Sequence, residues 1–343
     1  MKLLSSLCLI LLASTVLAQK VAVTSVGFSD SPNLPPSISS ISSTFNSSAA
    51  FHLENSYGLK VLTADYYGPI TVNVTGCDTA GINAQVQRAL DLSHYDILIY
   101  AMAYRSSCGW SSLRAVSNGS APRIYLNGIL STQVLSHEVG HAFGLYHAGA
   151  LDCGSLAIGA SCAFIEYGDR FDVMAKSLYH MNAYQKMRLG VLKPFLVSIS
   201  GQYTLFPIEL NQSAIKVLKT GETYYYIEYR QPVGYDSGLG TNAGVLIHQG
   251  TEFQDSFNLF FSYLLDATPE TSSWLDSALR PGKSFYDADN RIKITTISAD
   301  AIQAVVDVQL DAEAPPTPSP SPTPEPTPTP APTPCRGGWK KCG

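Results

Sequence analysis

The chain has 343 residues, of which 45% are hydrophobic, 10% aromatic and only 14% charged, and its formal net charge is −5. That length suggests two folded domains with room for tails. The acidic balance leaves no basic surface for nucleic acid or anionic lipid, so polyanion binding is disfavoured and no nucleic-acid partner is expected.

Residues 1–18, MKLLSSLCLILLASTVLA, read as a cleaved secretory signal peptide. Lys2 is the positive end, Leu3 to Leu12 supply most of the apolar run, and Val16, Leu17 and Ala18 precede the cut. That run is short for a bilayer span and no later stretch is long enough, so no transmembrane segment is expected. Export changes the meaning of the cysteines. Cys8 leaves with the signal, and the even set that remains predicts disulfides, although fifteen pairings are open. Neighbours in sequence give the simplest set: Cys77 with Cys108, Cys153 with Cys162, and Cys335 with Cys342. Sequons at Asn46, Asn73, Asn118 and Asn211 suit a secreted glycoprotein.

From Lys20 the pattern alternates between strands and helices. Residues 21–28 read as a first strand, and 59–74 as one or two more, broken at Gly68-Pro69. Ile82, Val86 and Leu90 have helical spacing within 82–93. The continuous apolar run 95–104 suits a buried central strand, and 122–129 is another short strand. Ser131 or Thr132 can cap a helix through Leu145. This alternation predicts an α/β layer with a mostly parallel sheet over residues 19–194.

That helix carries SHEVGHAFGLYH (136–147). His137 and His141 lie four apart, on one helix face, where two imidazoles can share a metal ion. Glu138 is offset by one residue and can reach a water at the open coordination position, as a general base. Gly144 can end the helix in the left-handed conformation, so that the chain turns and His147 supplies a third ligand. Three protein ligands and an open position define a catalytic site for one Zn²⁺ ion.

Beyond Pro194 the pattern changes to short strands within 203–210, 222–230, 244–250, 291–298 and 301–310. In the last, Ile302, Ala304, Val306, Val308 and Leu310 form one apolar face. Residues 195–312 therefore read as an all-β, sandwich-like domain. Residues 313–334 are a Pro/Thr-rich linker favouring polyproline II, and 335–343, CRGGWKKCG, form a short cysteine-bounded tail.

The spacing from His137 to His147 is the metzincin signature, and with EYGDRFDVMA (166–175) and HMNAYQKMRLGVL (180–192) the chain resembles the gametolysin family of zinc metallopeptidases. NSYGLKV (55–61) and YYYIEYRQPVGYDSGL (224–239) are similar to that family as well. The resemblance implies a two-lobed α/β (α+β) catalytic domain with a zinc-binding helix, and Met174 as the structural methionine turn beneath the metal. It also implies a secreted endopeptidase acting on protein or glycoprotein substrates, cell-wall or matrix glycoproteins among them. The chain departs from relatives of that clan at Ala175-Lys176, where no tyrosine stands two positions after the methionine. It departs also at Ala148, where an acidic residue is absent. Only residues 19–136 precede the motif in the mature chain, so a long inhibitory propeptide is not expected.

The remaining candidates are weaker in kind. Tyr167 and Tyr179 are candidates to stabilise an oxyanion. His180 follows the methionine turn closely, but a hydrogen-bonded structural histidine is the expectation there, and His52, His94 and His248 have no partner pattern. Asp236 in GYDSG is expected to belong to a turn in preference to a Ca²⁺ site. The competing function is a non-catalytic, zinc-binding wall or matrix glycoprotein. Glu138 beside three intact histidines favours the enzyme, because a binding scaffold needs no base.

Overall fold

A computed structural model describes residues 17–115, 120–240, 244–252 and 262–313. The expected signal peptide up to Val16, Asn118, the expected linker beyond Glu313, and the expected tail with Cys335 and Cys342 lie outside the described residues. Asn46, Asn73 and Asn211 are exposed. Among the described residues, no helix is long and apolar enough to cross a membrane.

The N-terminal elements are β1 (Leu17–Phe28), α1 (Ile38–Asn55), β2 (Lys60–Val72), α2 (Thr79–Ala89), β3 (Ile97–Met102), β4 (Ser112–Ala115), β5 (Arg123–Asn127) and α3 (Thr132–Ala142). Their strands form one sheet in the order β2-β1-β3-β5-β4, parallel throughout except where β4 runs against β5. This is the mostly parallel layer that the alternation predicted. All six residues of β3 are buried, because helices cover both faces of the sheet. On one face, Ile82 and Val86 of α2 pack with Tyr100 and Tyr125; on the other, Ile41 and Phe45 of α1 join Leu135 and Val139 of α3. The Cys77–Cys108 disulfide closes the first of these layers. The expected one or two strands within 59–74 are the single strand β2, Lys60–Val72, with a register shift against β1 between Thr24 and Val26.

Two elements of this layer carried no clear sequence signal. Serines dilute the apolar positions of α1, whose buried face is Ile41, Phe45, Ser48, Phe51, His52 and Asn55. Packing selects that helix where composition does not. The edge strand β4 is only four residues long and sits among Gly and Ser.

The chain continues through β6 (Ala148–Asp152), β7 (Ala163–Ile165), α4 (Ala183–Arg188), β8 (Phe195–Val197), β9 (Gly201–Leu205), β10 (Ala214–Thr220), β11 (Thr223–Tyr229), β12 (Val245–Thr251), β13 (Ser262–Leu265), β14 (Ser284–Asp287), β15 (Ile292–Ala299) and β16 (Ala304–Gln309). A seven-stranded sheet, β7-β6-β13-β12-β11-β10-β8, faces a four-stranded sheet, β14-β15-β16-β9. Between them Val217, Tyr225, Ile227 and Ile247 meet Ile294, Val306 and Val308. The alternation expected in the last strand holds for Ala304, Val306 and Val308, while Ile302 is exposed and precedes the strand.

The larger sheet runs across the expected boundary at residue 194. β6 pairs in parallel with β13, so Ala148 to Leu151 lie beside Ser262 to Leu265. A parallel partner more than a hundred residues away leaves no local mark in the sequence. The consequence for the site is direct: the strand that follows His147 is anchored in this second sheet. The Cys153–Cys162 disulfide closes the loop between β6 and β7.

Candidate metal centre

Ser131 caps α3, its side chain accepting the Val134 N–H at 3.5 Å. Leu135 and Val139 turn to the apolar core, which leaves His137, Glu138 and His141 to line a cleft of about 630 Å³. The helix ends at Ala142, three residues before the expected Leu145. The reason lies at Gly144, whose φ of +87° is left-handed. Its N–H bonds to the His141 carbonyl at 2.9 Å, and the Leu145 N–H bonds to the Gly140 carbonyl at 3.0 Å. This is a glycine cap that satisfies the last carbonyls while reversing the chain. Three residues later, His147 enters the same cleft.

The ligand atoms of His137, His141 and His147 all lie within 4.8 Å of one another. Each Nδ1 already has a partner: the Val173 carbonyl at 2.9 Å, the Leu145 carbonyl at 2.8 Å and Glu166 Oε1 at 2.8 Å, respectively. Carbonyl and carboxylate oxygens only accept, so Nδ1 carries the ring proton in all three and Nε2 offers a lone pair. Burial holds all three imidazoles toward the neutral form, His141 down to about 3. Three convergent, neutral, oriented imidazoles fit one divalent ion with a position left open to the cleft.

Glu138 is 6% exposed. Burial raises its carboxyl above the ordinary value, against the opposing pull of the Ser112 hydroxyl, His147 and Arg114. A carboxylate tuned upward in this way is suited to taking and returning a proton.

Met174 is fully buried against the underside of α3. A Cβ at position 140 would collide with its Sδ, so the helix carries Gly140 at the point of contact. The methionine loop also touches both ends of the motif: the Val173 carbonyl holds His137, and the Met174 carbonyl accepts the Ala148 N–H at 3.0 Å. Asp172 fixes the loop, accepting the Met174 N–H at 2.6 Å and the Asn182 N–H at 2.7 Å.

Residues 81–219, which include all of these side chains from His137 to Met174, match the family model described as Gametolysin peptidase M11. Over these residues the chain is similar to gametolysin peptidases. The autolysin of Chlamydomonas reinhardtii is 27% identical over an alignment of 266 residues, and the match covers 61% of this chain. The chain spans 40% of that relative's length.

Around this centre the other candidates separate. Tyr167 lines the cleft, with its ring centroid 4.1 Å from that of His147. Tyr179 is not among the lining residues; its hydroxyl lies against Gly238. His180 is turned away and buried, bonded through Nε2 to Glu54 at 2.8 Å. His52 bonds to the Ser136 carbonyl, His248 to Asp169, and His94 stacks on Tyr95. Asp236 accepts the His180 N–H at 2.7 Å and receives Arg230 at 3.2 Å, so both its oxygens are committed within the protein. Sequence reasoning did not find Glu166, Ser112, Arg114 or Tyr146. Glu166 acts on a ligand 19 residues away, and the other three carry no spacing rule.

Proposed function

We propose that this chain is a secreted zinc endopeptidase of metzincin type, cutting protein or glycoprotein substrates, with wall or matrix glycoproteins as the natural class. The observation that carries the reading is the pairing of three imidazoles, each with Nε2 left for metal, with a buried carboxyl in the same cleft. The match of residues 81–219 to a peptidase family model supports peptide bonds as the target. The wall substrate rests on the family resemblance.

His137, His141 and His147 would hold the zinc ion. When bound, the ion would polarise a carbonyl and acidify a water molecule at the open position. Glu138 takes a proton from the attacking water as the new C–O bond forms, then delivers it to the departing amine nitrogen as the C–N bond breaks. Glu166 and the Val173 and Leu145 carbonyls keep the three rings in one tautomer and orientation. Tyr167 is the candidate donor to the carbonyl oxygen.

The test compares purified secreted chain with its Glu138→Ala form, measuring zinc content and fragment release from a generic protein and from a Pro-rich wall glycoprotein. We expect about one zinc in each, and a loss of cleavage of ~10²- to 10⁴-fold or more in the variant. Zinc in both samples with no cleavage by either would replace the enzyme with a metal-binding scaffold.

A further inference from the structure

β4 is the edge strand beside the cleft, and its side chains alternate. Leu113 packs into the core with Tyr100 and Tyr125 on one side of the sheet. Ser112 and Arg114, two residues apart, therefore share the opposite face with α3, and both line the cleft. Ser112 is already engaged, because its hydroxyl bonds to Glu138.

Arg114 is differently placed. Its Nε is buried without a hydrogen-bond partner, and burial lowers its pKa against the opposing pull of Tyr146 and Glu138. Glu138 is the base of the proposed reaction. A guanidinium in such a place has a planar set of donors matched to a carboxylate, and burial strengthens what it binds. Lys176 adds a second cation to the same cleft, its Nζ 5.2 Å from the centroid of the Tyr167 ring. Among the lining residues Glu138 is the single acid; Glu166 reaches His147 from the rim. The lining thus carries two cations, Arg114 and Lys176, against one acid, in a protein of net charge −5.

We propose that Arg114 gives this cleft a preference for a substrate with a carboxylate side chain within two residues of the bond that is cut. The proposal rests on the peptidase reading above. It makes Arg114 a specificity-determining residue, distinct from one that only adjusts Glu138.

The test uses the zinc-loaded full chain and a neutral peptide whose cleavage site has been mapped. Each of the two positions on either side of the bond is changed singly to Glu, Gln or Lys, and kcat and KM are measured. At one position we expect Glu to exceed Gln by about tenfold or more in kcat/KM, chiefly through KM, with Lys below Gln. Arg114→Gln should bring the Glu/Gln ratio to about one, Arg114→Lys should keep part of it, and Arg114→Glu should favour Lys. Zinc content and Tm report on folding in each variant. A wild-type ratio of about one at all four positions overturns the proposal without any variant. So does a preference that survives Arg114→Gln, or a variant that shifts only the pH profile. If the neutral peptide is cut and Glu138→Ala abolishes the cut, such results sink the specificity alone. If no peptide is cut, both readings fall together.

Discussion

On one side of the cleft, Leu135 and Val139 of α3 pack against Ile97, Ile99 and Ile124 of the parallel sheet. On the other, residues 166–182 contain no helix or strand and are held by buried charge. Arg230 donates to the carbonyls of Phe171 at 2.6 Å and His180 at 2.9 Å, and its remaining bonds reach Glu228 and Asp236. Asp169 accepts from Asn182 and His248, and Glu228 accepts the Ala183 N–H. The contrast has a physical cause. A helix pairs its own backbone groups, so apolar contact is enough to dock it. A buried loop cannot do so, and its carbonyls and N–H groups need side chains from elsewhere. Two of the three candidate metal ligands thus ride on a locally determined element, while the floor that orients His137 depends on residues 228–248.

The largest effect that would break this comparison is at Arg230. Arg230→Met removes one partner of a buried network and leaves Glu228 and Asp236 unpaired, so unfolding in denaturant should show a loss of about 3–5 kcal/mol. A cost under ~1 kcal/mol would mean that the loop does not depend on its charges.

Glu166→Gln probes the third candidate ligand, His147, alone. It weakens the acceptor on His147 Nδ1, and zinc affinity in competition with a chelator should fall by about tenfold. The low end of the usual range is expected because the Glu166 side chain is 52% exposed.

The smallest effect is a pH limb from Asp169 and His248. Burial alone would lower His248, but Asp169 and Glu228 outweigh it and raise its pKa above 6.5, with Arg230 opposing. Burial would likewise raise Asp169, yet the His248 charge and hydrogen bond hold it below 3.8. The imidazolium is thus favoured in the folded state. Its contribution is complete below pH 6.5 and is lost as pH rises through the raised value. The carboxylate's contribution is lost only as pH falls below 3.8. With zinc saturating, the Tm of the wild type should decline on the alkaline side relative to His248→Gln, by the equivalent of roughly 1 kcal/mol. Parallel curves would remove the ion pair from the account.

Much of the site was legible in the amino-acid sequence. His137, Glu138, His141, Gly144 and His147 occupy positions that follow from helical periodicity and from glycine's access to positive φ, rules that act within a few residues. The two disulfides within the described residues pair neighbouring cysteines. The alternation of β16 and the unbroken apolar run of β3 marked a one-sided and a two-sided strand. What the sequence did not disclose depends on partners far along the chain. β6 finds β13 across the expected boundary, and β4 brings Ser112 and Arg114 over Glu138. His248 reaches Asp169 across 79 residues, and Glu54 reaches His180 across 126. Local rules fixed which atoms could bind a metal and which could move a proton. Only tertiary packing decided what holds those atoms still and what charge surrounds them, because burial and long-range pairing have no period in the sequence.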